Sequence, residues 1–314
     1  MLKDVLRTRD LSGDDVVRLL DLSAAYKAEP LRHHDTLRGE SVVQFFGKPS
    51  TRTRISFETA IARLGGSAIT TGPNDLQLGR GETIEDTART ISQYARAFVI
   101  RTFKDDDVRR FAAAASIPVV NALTDGHHPC QSLADLLTLR ERFGAVKGRR
   151  LAYVGDGYNV ANSLLEAAAL LGMDIAVATP PGYEPDRTSI AFATAEAERS
   201  GARVTITNDP AEAARGAHAV YTDVWFSMGD TELERASRIA TFLPYRVDPA
   251  LMAHARPDAV FMHCLPAHRG EEVMAAVIDG PQSVVFPQAA NRLPTAQAVL
   301  YALATGALTG PDAS

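Results

Sequence analysis

Short apolar runs rich in β-branched residues alternate with longer amphipathic runs along nearly the whole chain, and this alternation restricts the fold more than any other feature. Candidate strands fall at residues 41–45, 67–70, 97–101 and 118–121. A second series follows at 150–154, 174–178, 203–206, 219–222, 260–262 and 283–285. Helical spacing lies between most of them. Phe57, Ala60, Ile61 and Leu64 stand at i, i+3, i+4 and i+7, one face of a helix, and Gly65-Gly66 supplies its stop. Thr87, Ile91 and Tyr94 mark another helix, as do Leu164, Ala168 and Leu171. Strands separated by helices pair in parallel and are covered on both faces. Two such series predict an α/β chain of two doubly wound domains with central parallel sheets, joined by interdomain helices. The first domain is expected over residues 1–134 and the second over 135–287. A C-terminal helix, 288–308, is expected to pack back on the first domain. A helix over 131–142 marks the boundary, and the Pro-rich stretch 179–185 reads as a loop after a strand.

The length of 314 residues suits two cores rather than one. A formal net charge of −5 lacks the basic excess of nucleic-acid binders, so no nucleic-acid partner is expected. No run approaches the ~18 apolar residues of a membrane span, and acidic residues interrupt the N-terminal stretch where a signal peptide would be apolar. The two cysteines, Cys130 and Cys264, are too few for a disulfide scaffold, which makes a cytoplasmic protein the expectation.

Four segments carry chemistry. Phe46-Gly-Lys-Pro-Ser-Thr-Arg-Thr-Arg54 lies between a strand and a helix. Ser50 reads as the N-cap, and the free N–H groups and dipole of the first turn make an anion site. Three hydroxyls and two guanidiniums within five residues favour a phosphate over a merely solvated helix start, because Arg presents a planar fork to phosphate oxygens. His127-His-Pro-Cys-Gln131 opens the next helix. His128 offers a donor for a carbonyl oxygen and Gln131 both a donor and an acceptor, although taken alone such a His is more often a cap or a buried hydrogen-bonder. The spacing of His127, His128 and Cys130 is no recognised zinc pattern, and no metal is expected. Asp223-Val-Trp-Phe-Ser-Met-Gly229 follows a strand at its carboxyl end, where open α/β sheets bind ligands. Asp223 reads equally as an ammonium partner and as a loop-capping residue. Phe261-Met-His-Cys-Leu-Pro-Ala-His-Arg269 follows another apolar strand. Its Leu-Pro bond is a candidate cis peptide, and Cys264 reads either as a cleft-facing group or as a buried inert thiol.

Taken together, Ser-Thr-Arg-Thr-Arg, His-Pro-Cys-Gln, Asp-Val-Trp-Phe-Ser-Met-Gly and His-Cys-Leu-Pro, in this order and at these separations, resemble the ornithine carbamoyltransferases over residues 2–308. The resemblance implies transfer of a carbamoyl group from carbamoyl phosphate to the δ-amine of L-ornithine, giving L-citrulline and phosphate, as in arginine biosynthesis. It assigns carbamoyl phosphate to the first domain and ornithine to the second. Ser50, Thr51, Arg52 and Thr53 match the carbamoyl phosphate loop, and Arg101 a further phosphate and carbonyl contact. His128 and Gln131 match residues holding the carbamoyl oxygen and nitrogen. Asn159, Asp223, Ser227 and Met228 match the site for the amino acid's α-amino and carboxylate groups. Cys264 and Leu265 match a segment that closes on both substrates, and Arg292 a last phosphate-side arginine. Within this set Arg101, His128, Asp223 and Cys264 are the implied catalytic residues. Gln77 matches a loop lent to a neighbouring subunit's site, implying a homotrimer or multiple of trimers with active sites at subunit interfaces. No metal or organic cofactor is implied, since the donor is already activated.

Three positions depart from the family pattern. Tyr158 stands where Asn is common, the position before Asn291-Arg292 is Ala290 rather than acidic, and Pro294 stands where His is usual. These departures leave a paralogue acting on another amine, such as putrescine, N-acetylornithine or lysine, as the alternative. Gly155-Asp-Gly157 also suggests a dinucleotide turn, but the third glycine and the acidic residue ending the next strand are missing.

Overall fold

A computed structural model describes residues 3–226 and 232–308. The chain divides into two compact units. One runs to Leu137 and resumes at Ala290, and the other is Thr138–Ala289. The division falls within one helix, Pro129–Phe143.

The first unit holds β1 (Ser41–Phe46), β2 (Ser67–Thr71), β3 (Ala97–Arg101) and β4 (Val119–Leu123) in the order β2-β1-β3-β4, all parallel. The central strands are buried on both faces, which is why Ala-Phe-Val-Ile reads as an unbroken apolar run rather than an alternating one. Phe98 stacks on Phe111 of the helix Asp105–Ala114 with ring centroids 4.0 Å apart. In the helix Arg52–Arg63, Phe57, Ala60 and Ile61 are fully buried, and so is Leu64 at its C-cap. Gly65 then takes φ +86°, and a Cβ there would stand 2.2 Å from the His34 carbonyl oxygen. The helix Arg292–Thr305 buries Ala296, Ala298, Val299, Leu300, Ala302 and Leu303 and packs on the helices Gly13–Ala28 and Arg52–Arg63.

The second unit holds β5 (Arg150–Val154), β6 (Asp174–Ala178), β7 (Val204–Thr207), β8 (Ala219–Thr222) and β9 (Val260–His263) in the order β7-β6-β5-β8-β9, again all parallel. Its helix Asn159–Leu170 buries almost every side chain. Among the described residues no helix is long and apolar enough to cross a membrane.

Three local expectations are corrected. Residues 283–285 form no strand. Ser283 makes one isolated bridge to Phe261, after which the Val284 carbonyl accepts the Gln288 N–H at 2.9 Å and the chain enters the helix Val285–Ala290. Tyr94 is not on a helix face: the helix ends at Ile91, and Tyr94 lies in the following turn, 76% exposed. Ser50 is not the N-cap either. Thr51 takes that position without a side-chain cap, while the Ser50 hydroxyl accepts the Thr53 N–H at 3.2 Å from one residue earlier.

Candidate active site

Both sheets change strand direction of travel at one point, between β1 and β3 in the first and between β5 and β8 in the second. Crevices at such points, outside the carboxyl ends of the strands, are the usual ligand sites of open α/β sheets. The candidate residues follow this rule in each unit. Ser50–Thr53 follow β1, Arg101 ends β3 and His128 follows β4, whereas Asn159 follows β5, Asp223 follows β8 and Cys264 follows β9.

In the first unit the side chains converge. Arg292, only 4% exposed, donates through Nη1 to the Gln131 Oε1 at 2.6 Å and through Nη2 to the Thr53 hydroxyl at 3.2 Å. Gln131 in turn donates to Asp135 at 2.8 Å, one helical turn further on. Arg101 Nη1 reaches the Ser50 hydroxyl at 3.4 Å. His128 is buried beside these groups. Desolvation first, then the charges of Arg292, Arg101 and Arg52, holds its pKa well below the ordinary value, so the imidazole is neutral at physiological pH. A neutral imidazole keeps one N–H donor without adding a fourth positive charge. Residues spread over 242 positions of sequence (Ser50 to Arg292) thus make one cationic, donor-rich pocket.

The fold accommodates Pro294, and nothing in it explains Ala290 in place of an acidic residue. Arg292 is the first residue of its helix, so Pro294 lies in the first turn, where backbone N–H groups have no intrahelical acceptor and proline is tolerated. The first regular bond of the helix runs from the Thr295 N–H to the Asn291 carbonyl at 3.2 Å. Asn291 is held by Lys27, 2.8 Å from its Oδ1.

His127 turns away from this pocket, with Nδ1 2.9 Å from Asp105. Cys130 is buried, its thiol donates to the Asn121 carbonyl at 3.5 Å, and burial pushes its pKa up to about 11. Neither Thr51 nor Gln77 is joined to the cluster by a described hydrogen bond. Both are exposed, and Gln77 opens the 3-10 turn Gln77–Arg80.

In the second unit the Cys264 thiol donates to Asp223 Oδ1 at 3.0 Å, and the same oxygen accepts the Val224 N–H at 2.8 Å. The Leu265–Pro266 bond is cis, and Leu265 itself takes φ +60°. The Leu265 N–H donates to His263 Nδ1 at 2.8 Å, which places the imidazole proton on Nε2. The His263 N–H donates to Gln288 Oε1 at 3.0 Å, and Gln288 donates to the Tyr221 hydroxyl at 3.1 Å. Asn159 is the first residue of its helix and is buried, while Tyr158 before it is exposed. Gly157 has no room for a side chain, since a Cβ would lie 2.4 Å from both Tyr183 O and Pro185 N. Packing, rather than close approach to a dinucleotide, accounts for that glycine. Arg238 ties the loops after β5 and β8 together, bonding Asp156 through Nη2 and the Trp225 carbonyl through Nε at 2.6 Å. Ser227 and Met228 lie outside the described residues.

Donor atoms of Asp223, His263 and Cys264 lie within 4.8 Å of one another, a spacing that would admit a metal ion. The thiol proton, the Val224 N–H and the Leu265 N–H already occupy atoms of this trio, so here it forms a hydrogen-bonded set.

Reading the sequence passed over Asp135, Arg238 and Gln288, which brace these groups. Asp135 carried a signal, standing at i+4 from Gln131 on one helix face. Arg238 and Gln288 carried none, because their partners lie 82 and 25 residues away in sequence.

Two family models match the chain. One, the carbamoyl-P binding domain of aspartate/ornithine carbamoyltransferase, covers residues 3–141, and the other, the Asp/Orn binding domain, covers residues 147–303. The chain is 49% identical over 301 residues to an ornithine carbamoyltransferase of Bacillus subtilis, spanning 96% of this chain and 93% of that one. It is 53% identical over 297 residues to one of a Parafrankia species, spanning 93% and 92%. The solved ornithine carbamoyltransferase of Pyrococcus furiosus superposes with a TM-score of 0.93 at 47% identity, covering 97% of both chains. A match of this extent over both units, with the motif residues at the carboxyl ends of the strands, places the chain in the aspartate/ornithine carbamoyltransferase family.

Proposed function

We propose that the chain transfers the carbamoyl group of carbamoyl phosphate to the δ-amine of L-ornithine, releasing L-citrulline and phosphate. The observation that carries this reading is the neutral, buried His128 among Arg52, Arg101 and Arg292. Three guanidiniums match the charge of a phosphate, and a neutral donor among them suits a carbonyl oxygen. Relatives at about half identity from Bacillus subtilis, Acidothermus cellulolyticus and Geobacillus stearothermophilus are named ornithine carbamoyltransferases.

Arg52 and the start of its helix hold the departing phosphate, with Ser50 and Thr51 contributing hydroxyls. Arg101, His128 and Thr53 stabilise the negative charge that grows on the carbamoyl oxygen as the amine attacks. Because Arg292 donates to the Thr53 oxygen, the Thr53 proton is left to point at substrate. Gln131 spends one amide hydrogen on Asp135 and one lone pair on Arg292, leaving one N–H and one lone pair for the carbamoyl group. The new N–C bond forms as the C–O bond to phosphorus breaks, and the amine proton leaves with the phosphate or to solvent.

A free alkyl ammonium has a pKa near ~10.4, so presenting the neutral amine at pH 7 costs about 4.6 kcal/mol. Asn159, Asp223, Ser227 and Met228 hold the α-amino and carboxylate groups, and Leu265 closes over the substrates. A thiol that donates to Asp223 still carries its proton, so Cys264 acts by orienting the amine rather than as its base. The enzyme works in the cytoplasm, in arginine biosynthesis, as a homotrimer or a multiple of trimers in which the Gln77 turn completes a neighbour's site. Cys130 and Cys264 are not joined by a disulfide, which suits a reducing compartment.

The test is steady-state product formation from carbamoyl phosphate with L-ornithine, putrescine, N-acetylornithine and lysine. Citrulline formation with kcat/KM at least a hundredfold above the other amines is expected. No carbamoylation of ornithine, or faster reaction with another amine, overturns the reading.

A further inference from the structure

Beyond Cys264 the chain folds His268, Glu271 and Glu272 into a cluster that the carbamoyl transfer does not use. Their Nδ1 and carboxylate oxygens lie within 4.8 Å of one another. His268 Nδ1 is 3.4 Å from Glu272 Oε2 and 3.8 Å from Glu271 Oε2. A tetrahedral zinc ion with bonds of about 2.0–2.2 Å sets its ligand atoms about 3.4 Å apart. Among the described residues, His268 Nδ1, Glu271 Oε2 and Glu272 Oε2 are each buried without a hydrogen-bond partner, and the whole Glu272 side chain is inaccessible to solvent. A buried carboxylate oxygen in that condition is costly unless a cation meets it.

The other oxygen of each carboxylate is anchored. Glu272 Oε1 accepts the His268 N–H and lies 3.3 Å from His263 Nε2, which carries the imidazole proton. Glu271 Oε1 accepts from Arg235 at 2.6 Å. Such outer partners orient the ligands of a metal and leave the facing atoms free to bind it.

We propose that His268, Glu271 and Glu272 bind one divalent transition-metal ion of the zinc class. One imidazole and two carboxylates suit such an ion, and a solvent molecule completes four-coordination. The ion ties together residues 263–272 and steadies the segment carrying Cys264, without taking part in the transfer.

The experiment titrates the full chain with Zn²⁺ alone, in a Cys264→Ser background so that thiol ligation by the Asp223–His263–Cys264 trio does not contribute. One equivalent per chain is expected to bind and raise the melting temperature. Adding His268→Ala, or Glu271→Gln in a separate variant, is expected to weaken binding at least tenfold and remove the thermal shift. Unchanged metal-free melting curves in both variants show that the fold is intact. Co²⁺ substitution should give no sulfur-to-cobalt charge-transfer absorption. Loss of all binding on Cys264→Ser alone, or undiminished binding in both added variants, overturns the proposal.

Discussion

Arg292 shows what a single side chain contributes here. It is buried, bonds both Gln131 and Thr53, and contributes to keeping His128 neutral. Lys in its place keeps the charge but loses the planar fork, so Arg292→Lys should lower kcat/KM for carbamoyl phosphate by about a hundredfold, the usual scale for losing one preorganised donor. Steady-state kinetics with ornithine saturating reads this directly. Cys264→Ser keeps a donor for Asp223. Its pH–rate profile should therefore match that of the parent, while Cys264→Ala should raise KM for ornithine. A shifted profile in the serine variant would restore the thiol as a proton acceptor. His128 also couples stability to pH. Its folded pKa is depressed, so the unfolded chain binds the extra proton; stability is complete above about pH 6.5 and is lost as pH falls. Denaturant melts between pH 7.5 and 5.5 should show the parent losing more stability on acidification than His128→Asn. The types of these residues were legible in the sequence, since clustered hydroxyls and guanidiniums at a strand-to-helix turn have few other uses. Their bonds were not. Gln131 and Arg292 meet across 161 positions, and no local pattern encodes that.

Elements were more legible than contacts, because a parallel strand covered on both faces must be apolar throughout. Residues 97–101, 150–154, 174–178 and 219–222 coincide with β3, β5, β6 and β8 for that reason. The failures lie where one local feature competes with another. Val284 and Val285 look like strand, yet a helix claims the carbonyl of Val284 after a single bridge. Tyr94 continues the spacing of Thr87 and Ile91, but the helix has already stopped. The Gly65 stop rests on firmer physics. At φ +86° and with the His34 carbonyl against its Cα, Gly65→Ala should lose roughly 2 kcal/mol of unfolding free energy in denaturant melts. An unaffected midpoint would mean that the turn re-forms around the methyl group.

At the scale of the whole molecule, the exposed Gln77 turn gives a test of the proposed sharing of a site between subunits. Gln77→Ala and Arg52→Ala chains should each be nearly inactive. Unfolded together and refolded at equal ratio, they should regain roughly one quarter of parental activity, because in a head-to-tail ring a quarter of the sites combine two intact contributions. No recovery would leave each chain with a self-contained site. The order of the chain has a last consequence. Arg292 belongs to the unit that the first 137 residues build, but it is separated from them by the whole of the other unit. On a ribosome the cluster around Gln131 and Thr53 therefore stays without Arg292 until the whole of the second unit has been made, so the first unit is completed last.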